Sequence, residues 1–154
     1  MTDVRVAVVD VYPVHRAPDG WEVLLLERAA GARSAGAWEV VHGRIEVNEQ
    51  PADAAVRELR EETGLRAAAM YSIASHPFYV ASVDTVVMAV TFAAFVDRIA
   101  SVVLGPEHVR EEWLPFDVAA DRATWPRADE HLRWIAKLLR DGTAGPAEDV
   151  LRIR

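Results

Sequence analysis

Short apolar runs rich in valine recur along the chain, with turn residues between them, and they predict a fold rich in β-strands. The run 85–96 (TVVMAVTFAAFV) is apolar throughout, which is typical of a central strand buried on both faces. The turn chemistry of residues 16–20 (RAPDG) predicts a hairpin between the first two strands. The remaining predicted strands cover residues 4–14, 21–27, 38–41, 68–76 and 111–116.

Helical spacing of apolar residues predicts one principal helix in the middle of the chain and two near its end. Pro51 suits a first helical position, an apolar stripe runs from there to Leu59, and Gly64 ends the helix. Segments 117–123 and 127–140 predict the two later helices. This order of strands and helices indicates an α/β (α+β) protein, an α/β/α sandwich with a mixed central sheet.

Length and composition narrow the class of protein. With 154 residues, 51% of them hydrophobic, we expect a single domain over residues 1–140 and a tail over 141–154 that is flexible or pairs with another subunit. A net charge of −7 argues against a nucleic-acid-binding surface, because phosphate backbones are held by clustered Lys and Arg. The chain has no cysteine and no apolar run of about 20 residues. We therefore expect a soluble cytoplasmic protein that binds neither nucleic acid nor a membrane.

Three glutamates in the principal helix carry the first chemical signal. Glu58, Glu61 and Glu62 stand at i, i+3 and i+4, so they share one helix face. Two carboxylates about 4 Å apart repel by roughly 4 kcal/mol at an effective dielectric constant near 20. A hard divalent cation bound by oxygen ligands converts this repulsion into affinity. The pattern predicts a site for Mg²⁺, with Mn²⁺ as a possible substitute.

The spacing around these glutamates resembles the Nudix box. Gly43, Glu49, the block Arg57-Glu58-Leu59, the pair Glu61-Glu62 and the pair Gly64-Leu65 occupy every fixed position of that motif. The resemblance implies a Nudix hydrolase fold over nearly the whole chain. It also implies hydrolysis of a nucleoside diphosphate linked to another moiety, through attack of metal-activated water on phosphorus.

Site roles follow from the resemblance position by position. It implies metal binding by the three box glutamates, by the backbone carbonyl of His42 and by Glu107, and catalysis by Glu58 and Glu61 with Arg57 orienting the carboxylates. For the general base, Glu58 and Glu61 rank ahead of Glu107. Arg28 and Trp38 are the candidate substrate contacts. The structural positions of the box are Gly43, expected to allow a sharp bend of the backbone, Glu49, expected to pair with Arg57, and Gly64.

Several functions stay open at this point. The first hypothesis is a pyrophosphohydrolase acting on a nucleoside triphosphate or an analogue, and the second is hydrolysis of dinucleoside polyphosphates or nucleotide sugars. A third is a non-catalytic module that senses a nucleotide, and the simplest alternative is a solvated acidic helix. The resemblance also suggests a homodimer.

Overall fold

A seven-stranded mixed sheet forms the centre of the molecule in the computed structural model, which describes residues 1–154. Its strands are β1 (Asp3–Ala17), β2 (Gly20–Arg28), β3 (Trp38–Glu39), β4 (Val41–Arg44), β5 (Ala69–Val80), β6 (Thr85–Phe95) and β7 (His108–Pro115). The helices are α1 (Pro51–Thr63), α2 (Phe116–Arg122), α3 (Arg127–Leu138) and α4 (Glu148–Leu151). The predicted mixed sheet and the predicted helices are therefore confirmed, and none of the helices is long and apolar enough to cross a membrane.

The strand order is β3-β2-β1-β6-β5, with β4 paired to β1 and β7 paired to β2. Only β1 and β6 run parallel, and every other pair is antiparallel. The predicted hairpin closes between Ala17 and Gly20. Strand β6 has a neighbour on each side, as its wholly apolar sequence predicts. Strand β7 begins at His108, earlier than predicted, because its charged first half also pairs with β2.

Two apolar clusters lie on opposite faces of the sheet and account for the layered architecture. On one face, Leu59 and neighbouring apolar residues of α1 pack on alternate residues of the central strands. On the other face, Leu132 and Ile135 of α3 pack on the intervening residues, among them Tyr12 and Val14 of β1. Helices on both faces make the sandwich predicted from the sequence.

Local sequence signals set the limits of α1, the helix that carries the glutamates. Pro51 is its first residue, and the backbone of Gly64 adopts a left-handed conformation (φ 72°) in which its N–H donates to the carbonyl of Arg60. Glycine tolerates that conformation at little cost, so it ends the helix at a defined residue.

The C-terminal segment folds back on its own chain. The N–H of Ile153 donates to the carbonyl of Met70 at 2.8 Å, and the guanidinium of Arg154 contacts Asp53 in the first turn of α1 at 2.6 Å. The segment thereby satisfies backbone groups at the start of β5. Pairing of the tail with another subunit stays a prediction. The division of the chain at residue 140 stays a prediction.

Candidate active site

Arg57 organises the loop before α1 and the glutamates of the helix. Its guanidinium makes a bidentate contact with Glu49 at 2.8 and 2.9 Å, and it also donates to Glu58 at 2.8 Å and to Glu61 at 3.1 Å. A further bond reaches the carbonyl of Arg44 at the end of β4. These contacts lower the pKa of Glu49 to about 2 through the hydrogen bonds from Arg57. We call Glu49, Arg57, Glu58 and Glu61 the box cluster.

Gly43 provides space for Glu58 rather than a bend. It lies within β4, paired with Val9 of β1, and its φ angle is not in the left-handed region. A Cβ atom at this position would overlap the carboxylate of Glu58. The expectation of a sharp bend at Gly43 was therefore wrong: glycine is needed here because the carboxylate lies directly against the strand backbone.

Glu62 is the most buried of the three helix glutamates, with a residue exposure of 6%. Burial, together with the charges of Glu58 and Glu39, raises its pKa to about 9. The backbone N–H of His42 donates to its carboxylate at 3.4 Å. Burial also raises the pKa of Glu58, although Arg57 partly opposes this. The surroundings therefore disfavour the ionised forms of both carboxyl groups.

Glu61 and Glu107 are the more exposed acidic groups. The side chain of Glu61 is 57% exposed and contacts Arg57. Glu107 precedes β7, and its carbonyl accepts the N–H of Ala29 at 2.8 Å, so it lies beside the end of β2. Its charge contributes to the raised pKa values of Glu58 and Glu62, which burial dominates. The structure thus brings Glu107 to the same region as the box glutamates.

The donor set fits a hard divalent cation. No group of three acidic or histidine side chains is drawn together tightly enough to enclose an ion, and Arg57 holds two of the carboxylates. The Glu58 carboxylate lies against Gly43, and burial raises the pKa values of Glu58 and Glu62. Oxygen donors of this kind suit Mg²⁺ or Mn²⁺.

The two predicted substrate contacts lie in different environments. Arg28 ends β2, donates to Glu39 at 2.9 Å and to the carbonyl of Arg33, and is only 14% exposed. The guanidinium groups of Arg110 and Arg122 lie near the ring of Trp38, with their central carbons 5.4 and 5.2 Å from the ring centroid. None of these neighbours of Trp38 belongs to the box, and substrate binding by either residue stays a prediction.

A buried ion network, which we call the Asp10 network, was not predicted from the sequence. Asp10 has no exposed surface and contacts the His42 ring at 2.6 Å and Arg127 at 3.0 Å. Burial alone would raise the pKa of Asp10, but His42 and Arg127 lower it to about 2. Burial would lower the pKa of His42, but Asp10 raises it. The only sequence signal is a charged residue inside the apolar run of β1.

Glu39 is a second buried carboxylate that was not predicted from the sequence. It accepts hydrogen bonds from Arg28 at 2.9 Å, from Nε2 of His108 at 3.0 Å and from the indole N–H of Trp125 at 3.4 Å. Burial would raise its pKa, but the bonds from His108 and Arg28 lower it. A small cavity beside it is lined by Asp10, Tyr12, Glu39, His42, Trp125 and Arg127, among others.

Known proteins are similar in sequence to this chain. The family model for the NUDIX domain matches residues 1–135. An octanoyltransferase of Myxococcus xanthus is 38% identical over 124 residues, which are 79% of this chain and 33% of that protein. A CTP pyrophosphohydrolase of Escherichia coli K12 is 44% identical over 55 residues, which are 36% of this chain and 41% of that protein.

The fold is also found in solved structures. The crystal structure of a Caenorhabditis elegans Ap4A hydrolase superposes with a TM-score of 0.71 at 18% identity, covering 89% of this chain and 99% of that one. The chain spans only 33% and 41% of the lengths of the two curated relatives it matches. The family match covers most of the chain, and it agrees with the complete box around α1. The chain therefore belongs to the NUDIX family.

Proposed function

We propose that the protein is a metal-dependent pyrophosphohydrolase that cleaves a nucleoside triphosphate or a close analogue. The single observation that carries this proposal is the seating of the Glu58 carboxylate against Gly43, beside the buried Glu62 and within the bonds of Arg57. A solvated acidic helix would require neither this seating nor a shared arginine. Membership of the NUDIX family supports the same reaction class.

The three box glutamates are the proposed holders of the ion, with the carbonyl of His42 and with Glu107 at the edge of the site. When bound, a divalent cation supplies charge neutralisation at the phosphates and a lower pKa of a coordinated water. Glu58 and Glu61 are the proposed proton acceptors, and Arg57 donates to both carboxylates at 2.8 and 3.1 Å, which supports a role in orienting them. Arg28 would offer positive charge to the substrate phosphates.

The substrate class is drawn from the relatives and from the charge of the site. The Escherichia coli relative is a CTP pyrophosphohydrolase, and a nucleoside triphosphate is the first candidate here as well. An acidic protein binds such a polyanion through the cation, since the formal net charge is −7. Dinucleoside polyphosphates and nucleotide sugars are the second candidates. The homodimer and the cytoplasmic location remain predictions.

A panel experiment tests the reaction and the substrate together. The purified protein is incubated with Mg²⁺ or Mn²⁺ and with nucleoside triphosphates, dinucleoside polyphosphates, nucleotide sugars and ADP-ribose, and the products are identified by chromatography. We expect a nucleoside monophosphate and pyrophosphate from one or more triphosphates, and no product when a chelator replaces the metal. Tight binding of a nucleotide without any turnover would support the sensing module instead. Highest catalytic efficiency on a dinucleoside polyphosphate or a nucleotide sugar would favour the second candidates.

A further inference from the structure

One buried carboxylate joins the ends of three strands next to the candidate active site. Glu39 belongs to β3, Arg28 is the last residue of β2 and His108 is the first residue of β7. The same oxygen of Glu39, Oε1, contacts the guanidinium of Arg28 at 2.9 Å and the ring of His108 at 3.0 Å. The strand ends that carry Arg28 and Glu107 are therefore tied to a single side-chain atom.

The ladder between β2 and β7 is irregular at this junction. Strands β2 and β7 lose their regular register between Glu27 and Arg28, and the next bond runs from the N–H of Ala29 to the carbonyl of Glu107 at 2.8 Å. A register shift of this kind changes the directions of the side chains that flank it. Glu39, which is 6% exposed, contacts the side chains on both strands at this point.

The chemistry of the contacts favours an ionised Glu39 and a fixed His108. His108 and Arg28 lower the pKa of Glu39 against the effect of burial. A carboxylate only accepts hydrogen bonds, so Nε2 of His108 must carry the proton that it donates. Nδ1 of His108 is buried and has no hydrogen-bond partner, so the ring makes its one hydrogen bond to Glu39. The residue that precedes it is Glu107.

We propose that Glu39 is a positioning residue, which directs Arg28 toward the substrate phosphates and Glu107 toward the box glutamates. This inference rests on the proposed function, because it assigns a role within the same site. It concerns the position of the Oε1 atom rather than the charge of the carboxylate. Position and charge can be separated by two conservative substitutions.

Glu39→Gln keeps an acceptor oxygen at the distance of Oε1 and removes the charge, whereas Glu39→Asp keeps the charge and withdraws the oxygen by one methylene. We expect Glu39→Asp to lower kcat/KM about 10- to 100-fold, the usual cost of losing a partner that orients a site residue. We expect the kcat/KM of Glu39→Gln to stay within about threefold of the wild-type value, because the acceptor oxygen keeps its position. Thermal unfolding of each variant identifies the folded fraction to which the rates refer.

Two further measurements show whether Glu39 acts through its neighbours. Calorimetry with a CTP analogue that carries a methylene group between the α and β phosphorus atoms should show weaker binding for Glu39→Asp than for Glu39→Gln. In an Arg28→Ala background, Glu39→Asp should no longer change KM and should affect kcat only, through Glu107. Additive effects on KM in the double variant would overturn the role of Glu39 toward Arg28.

The outcomes distinguish this inference from the function on which it rests. If the wild type is active and Glu39→Asp matches it, or if Glu39→Gln is the more damaged variant, the positioning role is overturned and the proposed function stands. If the wild type neither cleaves nor binds any nucleotide of the panel, the proposed function falls and the inference falls with it.

Discussion

Two groups of charged residues touch strand β4, and they differ in burial and in how they form. The box cluster lies on α1 and on the loop before it, and its Glu61 side chain is 57% exposed. The Asp10 network joins β1, β4 and α3 around a carboxylate that is completely buried. In the box cluster negative charge is left in excess, whereas in the Asp10 network each charge has a partner. We infer that the first group is built for a ligand and the second for stability.

The largest expected effect comes from removing one carboxylate of the box cluster. Glu58→Gln or Glu61→Gln should lower turnover at least about 100-fold, because each removes a proposed metal ligand or base. Glu58→Gln should not lower the unfolding temperature, since it removes a carboxylate whose pKa is raised by burial. Steady-state kinetics and calorimetry measure the two effects, and Glu112→Gln, an exposed surface pair with Arg122, is the control. Near-normal rates in both box variants would refute the assignment.

The second expected effect comes from removing the Asp10 carboxylate, and it should appear in stability rather than in turnover. The pKa of Asp10 is about 2, below its ordinary value of 3.8, so its ionised form stabilises the fold above pH 4 and this stabilisation is lost as the pH falls through 2. Asp10→Asn should therefore cost about 2 kcal/mol near neutral pH, or roughly 4 to 8 °C in unfolding temperature.

The pH dependence of this cost provides its check. The pKa of His42 is raised by Asp10, so the contribution of the charged ring is complete below 6.5 and declines as the pH passes its folded value. The difference in unfolding temperature between wild type and Asp10→Asn should be greatest between about pH 4 and 6.5 and should shrink toward pH 2. A difference that does not vary with pH would mean that the pair is not ionised.

The smallest expected effect comes from adding a methyl group at Gly43 of β4, beside the Glu58 carboxylate. Gly43→Ala places a methyl group where the Glu58 carboxylate lies, although the backbone angle of Gly43 permits alanine. We expect about tenfold lower activity with little change in folding. Gly31→Ala is the matched control, because a Cβ there meets no atom within 4 Å. Equal activity in the two variants would mean that Glu58 works from another position.

The same contrast explains how much could be predicted from the sequence. The box cluster is encoded within about twenty residues, where helical spacing places Glu58, Glu61 and Glu62 on one face and Arg57 beside them. The layered fold was equally accessible, because the strands are apolar and the long helices are amphipathic. Glu107 could be placed only through the resemblance, and its position beside the box depends on the pairing of β7 with β2.

The buried contacts could not be predicted, for a physical reason. Asp10 and Arg127 are 117 positions apart, and Glu39 and His108 are 69 apart. No local periodicity relates such residues, so their meeting depends on strand order and register. The bend predicted at Gly43 was wrong for a related reason. A glycine appears in the sequence both where the backbone bends and where a side chain from another element needs space, and at Gly43 the side chain is that of Glu58.

The parallel pairing of β1 with β6 bears on how the protein folds. Asp3 lies opposite Thr85 and Val14 lies opposite Phe95, so this ladder joins residues roughly 80 positions apart. So long a loop must close, at a cost in chain entropy, before the contacts of this ladder can form. A domain with many such pairs therefore folds slowly. The helix with the acidic face lies within that loop. During synthesis, α1 therefore emerges before β6 and β7, the last two strands of the sheet.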